Sequence, residues 1–232
     1  MRATTSTSPT LALAGRLCSS VTSAFGSWLR TVDRLWLGLF VAADLVFIAL
    51  HIAHKLWYPT WLFLAITHDG GYGEMFQYLK QFWIALMLAS AAMRWRDRLL
   101  WCWSAAFGYL LLDNALSLHE RAGAWLANQG QVAEQFDVPA RALGELVFFA
   151  LIGIIGCVAF AVAVAGDTKR FTLPNRVLLL LFAVLVFFGV GVDLLHSFAQ
   201  ARGWPGCGVI EDGGEMLAMS AITAYAPALA RR

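Results

Sequence analysis

Charge is scarce in this sequence. Asp, Glu, Lys and Arg make up 14% of its 232 residues, against about 25% in a soluble domain. Long polar stretches are scarcer still. No polar connection between apolar segments exceeds about 25 residues, too short for a separate soluble domain. Cysteine is sparse and unpatterned. Cys18, Cys102, Cys157 and Cys207 form no C-x-x-C pair, and their scatter gives neither a zinc-finger nor a disulfide framework. A net charge of +2 offers no basic footprint, so nucleic acid is not an expected partner. A cleavable signal peptide is not expected either. Residues 1–34 are rich in Ser, Thr and Ala and carry four Arg, without a strong apolar run and cleavage site. They read as a cytoplasmic tail, amphipathic or disordered.

What is abundant is apolar surface. Hydrophobic residues reach 59% and the mean hydropathy is +0.65. Ten Trp and sixteen Phe suit a bilayer protein, in which aromatic rings crowd the interfaces. A bilayer core needs roughly 20 apolar residues per helix. Six segments qualify: approximately 35–56, 77–93, 99–118, 143–165, 177–199 and 209–229. The fold class expected is therefore all-α, a polytopic membrane bundle of about six helices forming one domain over 35–230. The runs PTWLFLAI (59–66) and GAWLANQ (123–129) are too short to span and read as interfacial.

Basic residues orient the chain. With both termini in the cytoplasm, twelve of seventeen Lys and Arg lie inside, and Lys55, Lys80, Arg121, Arg141 and Arg202 lie outside or near the outer surface. A bacterial inner membrane is the expected location. Acids and imidazoles are distributed the other way. Only Asp33, Asp97 and Asp167 are cytoplasmic, and all five His fall at outer helix ends or in the first outer loop.

This co-location is the main functional signal. In the first segment Asp44 and His51 are two turns apart on one face. In the stretch LLDNALSLHERAG, Asp113, Ser117 and Glu120 share a face, with His119 to the side. Asp193 and His196 are three apart in the fifth segment. Glu211 and Glu215 are four apart in the sixth, with Asp212 beside them. A charge at mid-bilayer costs on the order of 3 kcal/mol, so Asp44, Asp113 and Asp193 are expected to face the bundle interior. Lys55, Lys80 and Arg121 could neutralise only three of the acids. Carboxylates in excess beside imidazoles call for a divalent metal, zinc or iron, with His51, His119, Asp193, His196, Glu211 and Glu215 as candidate ligands. Asp113, Glu120 and Ser117 are the candidate catalytic residues. Plainer readings exist for some of them. Glu120 and Glu145 sit at helix ends, where a charge can simply meet water. An acid in the first turn of the sixth helix favours the positive end of its dipole.

LDNALSLHERAG (112–123) resembles the S-L-D-E…x-H-E segment of a broad group of uncharacterised bacterial multi-pass membrane proteins. VIEDGGEMLAMSA (209–221) resembles a second element of that group, an E-[ED]-x-x-E-M helix, with Glu211, Asp212, Glu215 and Met216 in the matching places. Where that group suggests a second acid after Asp113, this chain has Asn114. The resemblance implies a fold but no activity. A more distant likeness is to membrane hydrolases of the ceramidase and adiponectin-receptor type, which hold zinc with His, Asp and Ser in a helical bundle; the paired H-x-x-x-H of those enzymes is missing here, so the likeness is one of analogy.

Three functions fit this reading. The first is a metal-dependent hydrolase acting on a lipid or other apolar substrate, with a redox variant of it less well matched. The second is a proton- or metal-handling transporter-like protein. The third is a non-catalytic subunit or assembly factor of a membrane complex. Membrane lipids are the expected surroundings in each, with a membrane-protein partner or a second copy of the chain as further contacts.

Overall fold

The structure, a computed structural model, describes residues 9–130, 139–165, 172–196 and 208–231, with side chains from residue 18 onward. Cys207, Arg202, Lys169, Arg170 and Asp167, together with the end of the segment expected over 177–199, lie outside the described residues. The described residues are almost all helical and contain no strand. The helices are α1 (Pro9–Thr31), α2 (Arg34–Trp57), α3 (Tyr72–Trp95), α4 (Arg98–Leu116), α5 (Leu118–Asn128), α6 (Ala140–Ala165), α7 (Leu173–Val186) and α8 (Gly208–Ala230). A π-helical turn, Phe187–Val192, prolongs α7 toward His196.

Four of these helices are long and apolar enough to cross a membrane: α2, α4, α6 and the Leu173–His196 helix. They point to a membrane protein. Six spans are expected from the sequence, and the other two segments correspond to α3 and α8. Both are long helices, but α3 carries Lys80 with Gln77 and Gln81, and α8 carries Glu211, Asp212 and Glu215. Within the region expected as an amphipathic or disordered N-terminal tail, residues 9–31 form α1, which packs against α7. The segment expected over 99–118 is broken. Ser117, with φ +48°, ends α4 and starts α5.

Short polar signals set the helix ends. Asp33 caps α2 by accepting from the Leu35 and Trp36 amides at 3.2 and 3.3 Å. Asp97 caps α4 through the Leu99 amide at 2.8 Å. Each satisfies a donor that the first helical turn leaves unpaired. Arg96 sits in the left-handed region at φ +50°, so α3 and α4 are joined by a two-residue turn and pack side by side.

The core lies between α3, α4, α7 and α8, where Leu88, Phe107, Leu178, Met219, Ile222 and Tyr225 are fully buried or nearly so. α8 is central, touching α2, α3, α7 and the π turn. At its heart is an ion pair. Lys80 Nζ lies 2.9 Å from Asp44 Oδ1, and both side chains are 0% exposed. The ammonium also donates to the Met216 carbonyl at 3.0 Å and to Ser220 Oγ at 3.2 Å. Ser220 in turn donates to the other Asp44 oxygen, and the charge sits 4.8 Å over the Phe76 ring. Lys80 is therefore an internal residue, not the near-surface cation expected from the sequence. Three donors and a carboxylate are satisfied together, so α2, α3 and α8 are locked in rotation as well as position.

Removing one partner of such a pair leaves the other charge buried alone, at a cost of about 3–5 kcal/mol, whereas removing both is far milder. Lys80→Met is expected to lower the unfolding free energy by about that amount. The double variant Asp44→Asn/Lys80→Met should recover most of it. Unfolding of purified protein in detergent, followed by circular dichroism, measures both. A neutral Lys80→Met would show that the pair does not hold the bundle.

Candidate functional site

α4 and the extension of α7 end, and α3, α5, α6 and α8 begin, around a cavity of about 1590 Å³. Its walls divide by chemistry. One end is lined by nine carboxylates, those of Asp69, Glu74, Asp113, Glu120, Glu145, Asp193, Glu211, Asp212 and Glu215. Three imidazoles stand among them, His68, His119 and His196, and Arg141 is the single Lys or Arg lining it among the described residues. The other end runs between α4, α6 and α7 and is lined by apolar groups such as Trp103, Ile155, Phe160 and Phe182.

The break at Ser117 builds the first polar pair. With α4 stopped and the chain turned, the His119 amide comes back to donate to Asp113 Oδ1 at 3.0 Å. The His119 ring nitrogen Nδ1 lies 2.9 Å from Asp113 Oδ2, and Tyr109 donates to Oδ1 at 3.3 Å. Asp113 itself is 1% exposed. The His119 ring stacks on Phe149 of α6, centroids 5.0 Å apart. Nδ1 therefore carries a proton toward Asp113, and Nε2 is left as the basic nitrogen of the neutral ring. Burial alone would push the His119 imidazole down. The Asp113 hydrogen bond and charge, with Glu145 and Glu120 nearby, outweigh it and raise the value above the ordinary 6.5.

The second pair joins α7 to α8. His196 Nδ1 lies 2.8 Å from Glu211 Oε2. It packs against the start of α8, where a Cβ on Gly208 would come within 3.2 Å of its ring. Asp193, Asp212 and Glu215 complete this side with no hydrogen-bond or ion-pair partner among the described residues. The π turn is shaped around them. A side chain on Gly189 would collide with the Glu215 carboxylate, and one on Gly214 would collide with the Phe188 ring.

A third set fastens the far wall. Arg141 lies 3.0 Å from Glu145 Oε1 and pairs with Glu120 across α5 and α6. Below it, Gly123 and Gly144 bring the two backbones together, a Cβ on Gly144 meeting the Gly123 Cα at 2.9 Å. Small residues allow this approach, as they do between membrane helices. Glu120, expected as a catalytic residue, is thus held by a guanidinium.

Of the residues expected at the site, Asp113, Ser117, His119, Glu120, Asp193, His196, Glu211 and Glu215 all line the one cavity. His51 does not join them. It is buried, and its Nδ1 accepts from the Ile66 amide at 3.2 Å, pinning the segment that follows α2. The six expected metal ligands do not converge as a set. Among the described residues no three of His, Cys, Asp or Glu are grouped to hold a metal ion. Gln77, Tyr109, Arg141 and Phe149 also line the cavity, and sequence reasoning gave none of them a role in the site. Their only signal is helical spacing, Gln77 three residues after Glu74 and Tyr109 four before Asp113.

These features define a class: a helical membrane bundle with an internal cavity, acidic and imidazole-bearing at one end and apolar at the other. Residues 36–229 match the family described as Domain of unknown function (DUF8692). The chain belongs to that family. No curated protein and no solved structure matches it.

Because the folded state holds the His119 proton more tightly than the unfolded chain does, the pair contributes in full below the ordinary value of 6.5. That contribution fades as the pH rises through the elevated native value. Titration by NMR of protein labelled at His Cε1 should give His119 a value above 6.5, and Asp113→Asn should lower it. An unchanged value in Asp113→Asn would mean that the carboxylate does not hold the proton.

Proposed function

We propose that this protein is a membrane enzyme that draws a lipid-like substrate from the bilayer into the cavity and hydrolyses a bond near its polar head. The carrying observation is the continuity of an apolar channel with an oriented His–Asp pair. Such a cavity exceeds the roughly 300–1,000 Å³ of a drug-sized site, which leaves room for a long chain. α6 borders it and is the most apolar of the four candidate spans, with 6% of its most apolar stretch buried. A wall turned mainly to lipid suits entry from the side.

The roles follow from the pairing. Asp113 accepts three hydrogen bonds and serves to orient; His119 Nε2 takes a proton from water as general base. The hydroxide formed attacks the substrate carbonyl, and the imidazolium returns its proton to the leaving oxygen or nitrogen. Ser117, in the left-handed turn between the two, lines the same space. Metal-assisted hydrolysis is the second reading. It is favoured by His119 and His196 each giving Nδ1 to a carboxylate, the arrangement that in metal sites leaves the other nitrogen for the ion.

The setting proposed has six spans. α3 and α8, 24 and 23 residues long, match the other four in length, and apart from Arg94 at the end of α3 their charged groups face Lys80's network or the cavity. With Lys80 internal, four of the five non-cytoplasmic basic residues remain against twelve. That asymmetry supports cytoplasmic termini and a site near the outer face of a bacterial inner membrane.

Purified protein in non-ionic micelles is expected to hydrolyse p-nitrophenyl hexadecanoate or an N-acyl amine of similar length. Asp113→Asn and His119→Ala should each lower turnover by about 10²–10⁴-fold. Metal analysis of the same samples decides between the readings: stoichiometric zinc or iron that is lost in His196→Ala favours the metal-assisted one. No turnover of either amphiphile class by the intact protein would overturn the proposal.

A further inference from the structure

The apolar end of the cavity has a defined shape as well as a chemistry. α6 packs on α5 and α4 and stands off from α7, which leaves the space between these helices open. Small residues keep it open at mid-depth. Gly153 and Gly156 of α6 line it, and a Cβ on either would meet no atom within 4 Å. Ala105 and Ala106 of α4 line it as well. At Gly123 and Gly144 the missing side chain lets two helices touch. At Gly153 and Gly156 it serves no helix contact and instead gives volume to the cavity.

A second observation sets a depth. Farther from the polar end, the buried Trp103 of α4 reaches across the gap that α6 and α7 leave. Its indole N–H donates to Asn175 Oδ1 at 3.2 Å. Its ring meets Phe160 of α6 edge-on at 5.1 Å and Phe182 of α7 at 5.5 Å. With its one donor satisfied and a ring on each side, the indole is fixed in place. Ten residues of α4 separate Trp103 from Asp113, about 15 Å at the rise of an α-helix. That is half of the roughly 30 Å hydrocarbon core of a bilayer. The distance from the His119–Asp113 pair to the three rings is therefore the reach of an alkyl chain in one leaflet.

Resting on the lipid-hydrolase reading above, we infer that the apolar end of the cavity measures the substrate's alkyl chain and selects a straight chain the length of one membrane leaflet. Gly153 and Gly156 give the chain room, and Trp103, held between Phe160 and Phe182, stops its end. A longer chain meets the rings before its head reaches His119. A shorter one leaves the ring-lined end unfilled, with the contacts there unmade. Gly153, Gly156, Trp103 and Phe160 are thus specificity residues, set apart from the reacting atoms.

Two measurements on the full chain in non-ionic micelles test this: turnover of p-nitrophenyl octanoate, hexadecanoate and eicosanoate, and calorimetric binding of the alcohols of the same three lengths. Each variant is compared with the wild type at every length, so that partition into the micelle cancels. Gly156→Leu should lower the hexadecanoate-to-octanoate ratio about tenfold or more, and Gly156→Ala should lower it less. Phe160→Ala should raise the eicosanoate-to-hexadecanoate ratio. The alcohols should shift in the same order. Ratios that stay at wild-type values in Gly156→Ala and Phe160→Ala overturn the inference and leave the hydrolase reading standing, whether or not Gly156→Leu folds. Alcohol binding that shifts as expected, with no ester turned over, overturns the hydrolase reading and keeps the chain selection. Failure of every ester and every alcohol overturns both.

Discussion

The contact on which the rest of this bundle depends is the Lys80 ammonium with Asp44, Ser220 and the Met216 carbonyl. In an apolar environment an isolated charge is excluded, so the three helices must meet in the one arrangement that satisfies it. Met216 and Ser220 are one turn apart on α8, and holding them against α3 fixes the rotation of α8. Gly208, Glu211, Asp212 and Glu215 then fall on the stripe that faces the cavity. A slip of one residue in α8 would carry the acids toward the packed core or toward lipid. The pair therefore acts on the site at a distance, by setting which face of α8 the site receives.

Around that anchor the cavity is built from opposites. Glycines and an alanine close the bundle where helices must touch, as at Gly123, Gly144 and Ala163. Aromatic rings hold it where they need not: Trp103 packs edge-on against Phe160 and Phe182, at 5.1 and 5.5 Å. The space left between is apolar at one end only. At the other end His119 and His196 each have a carboxylate and Arg141 holds two more, while Asp69, Glu74, Asp193, Asp212 and Glu215 form no ion pair among the described residues. A structural polar cluster in a membrane protein tends toward internal neutrality, because each residual charge weakens the fold. This one has more carboxylates than cations among the described residues, and a functional demand on those acids is the economical explanation.

Much of the site was legible in the sequence because the bilayer makes polar residues conspicuous. Asp113, His119, Asp193, His196, Glu211 and Glu215 stand out at one end of apolar segments, and they line one cavity. The pairing among them was not legible. His119 reaches Asp113 only because Ser117 adopts φ +48° and ends the helix, a conformation that a serine does not announce. His51 has the same depth and chemistry as the others, yet turns to the backbone of Ile66. Sequence periodicity gives the face of a helix, not the neighbour across from it. Lys80 read as a near-surface cation for the same reason, since its partner lies 36 residues away on another helix. α3 and α8 satisfy the length of a span and fall short in apolarity because their polar groups point inward, which hydropathy averages around the helix and so cannot see.

Two backbone irregularities bear on what fills the cavity. Ser117 in the left-handed region and the π turn at Phe187–Val192 both interrupt regular helix, and both line the cavity, through Ser117 itself and through Gly189 and Val190. Irregular backbone at membrane depth is tolerated only where protein buries it or water reaches it. A non-Gly left-handed residue carries a strain of order 1–3 kcal/mol that persists only when its surroundings impose it, and π turns concentrate at functional sites. Here each has a local product. The break at Ser117 swings His119 onto Asp113, and the π turn sets Gly189 opposite Glu215, giving that carboxylate room at the cavity wall. Regular helices in the same places would have been more stable and would have removed both groups from the cavity. The distortions thus stand where the acid and imidazole groups need them, and the anchored rotation of α8 supplies the opposite wall.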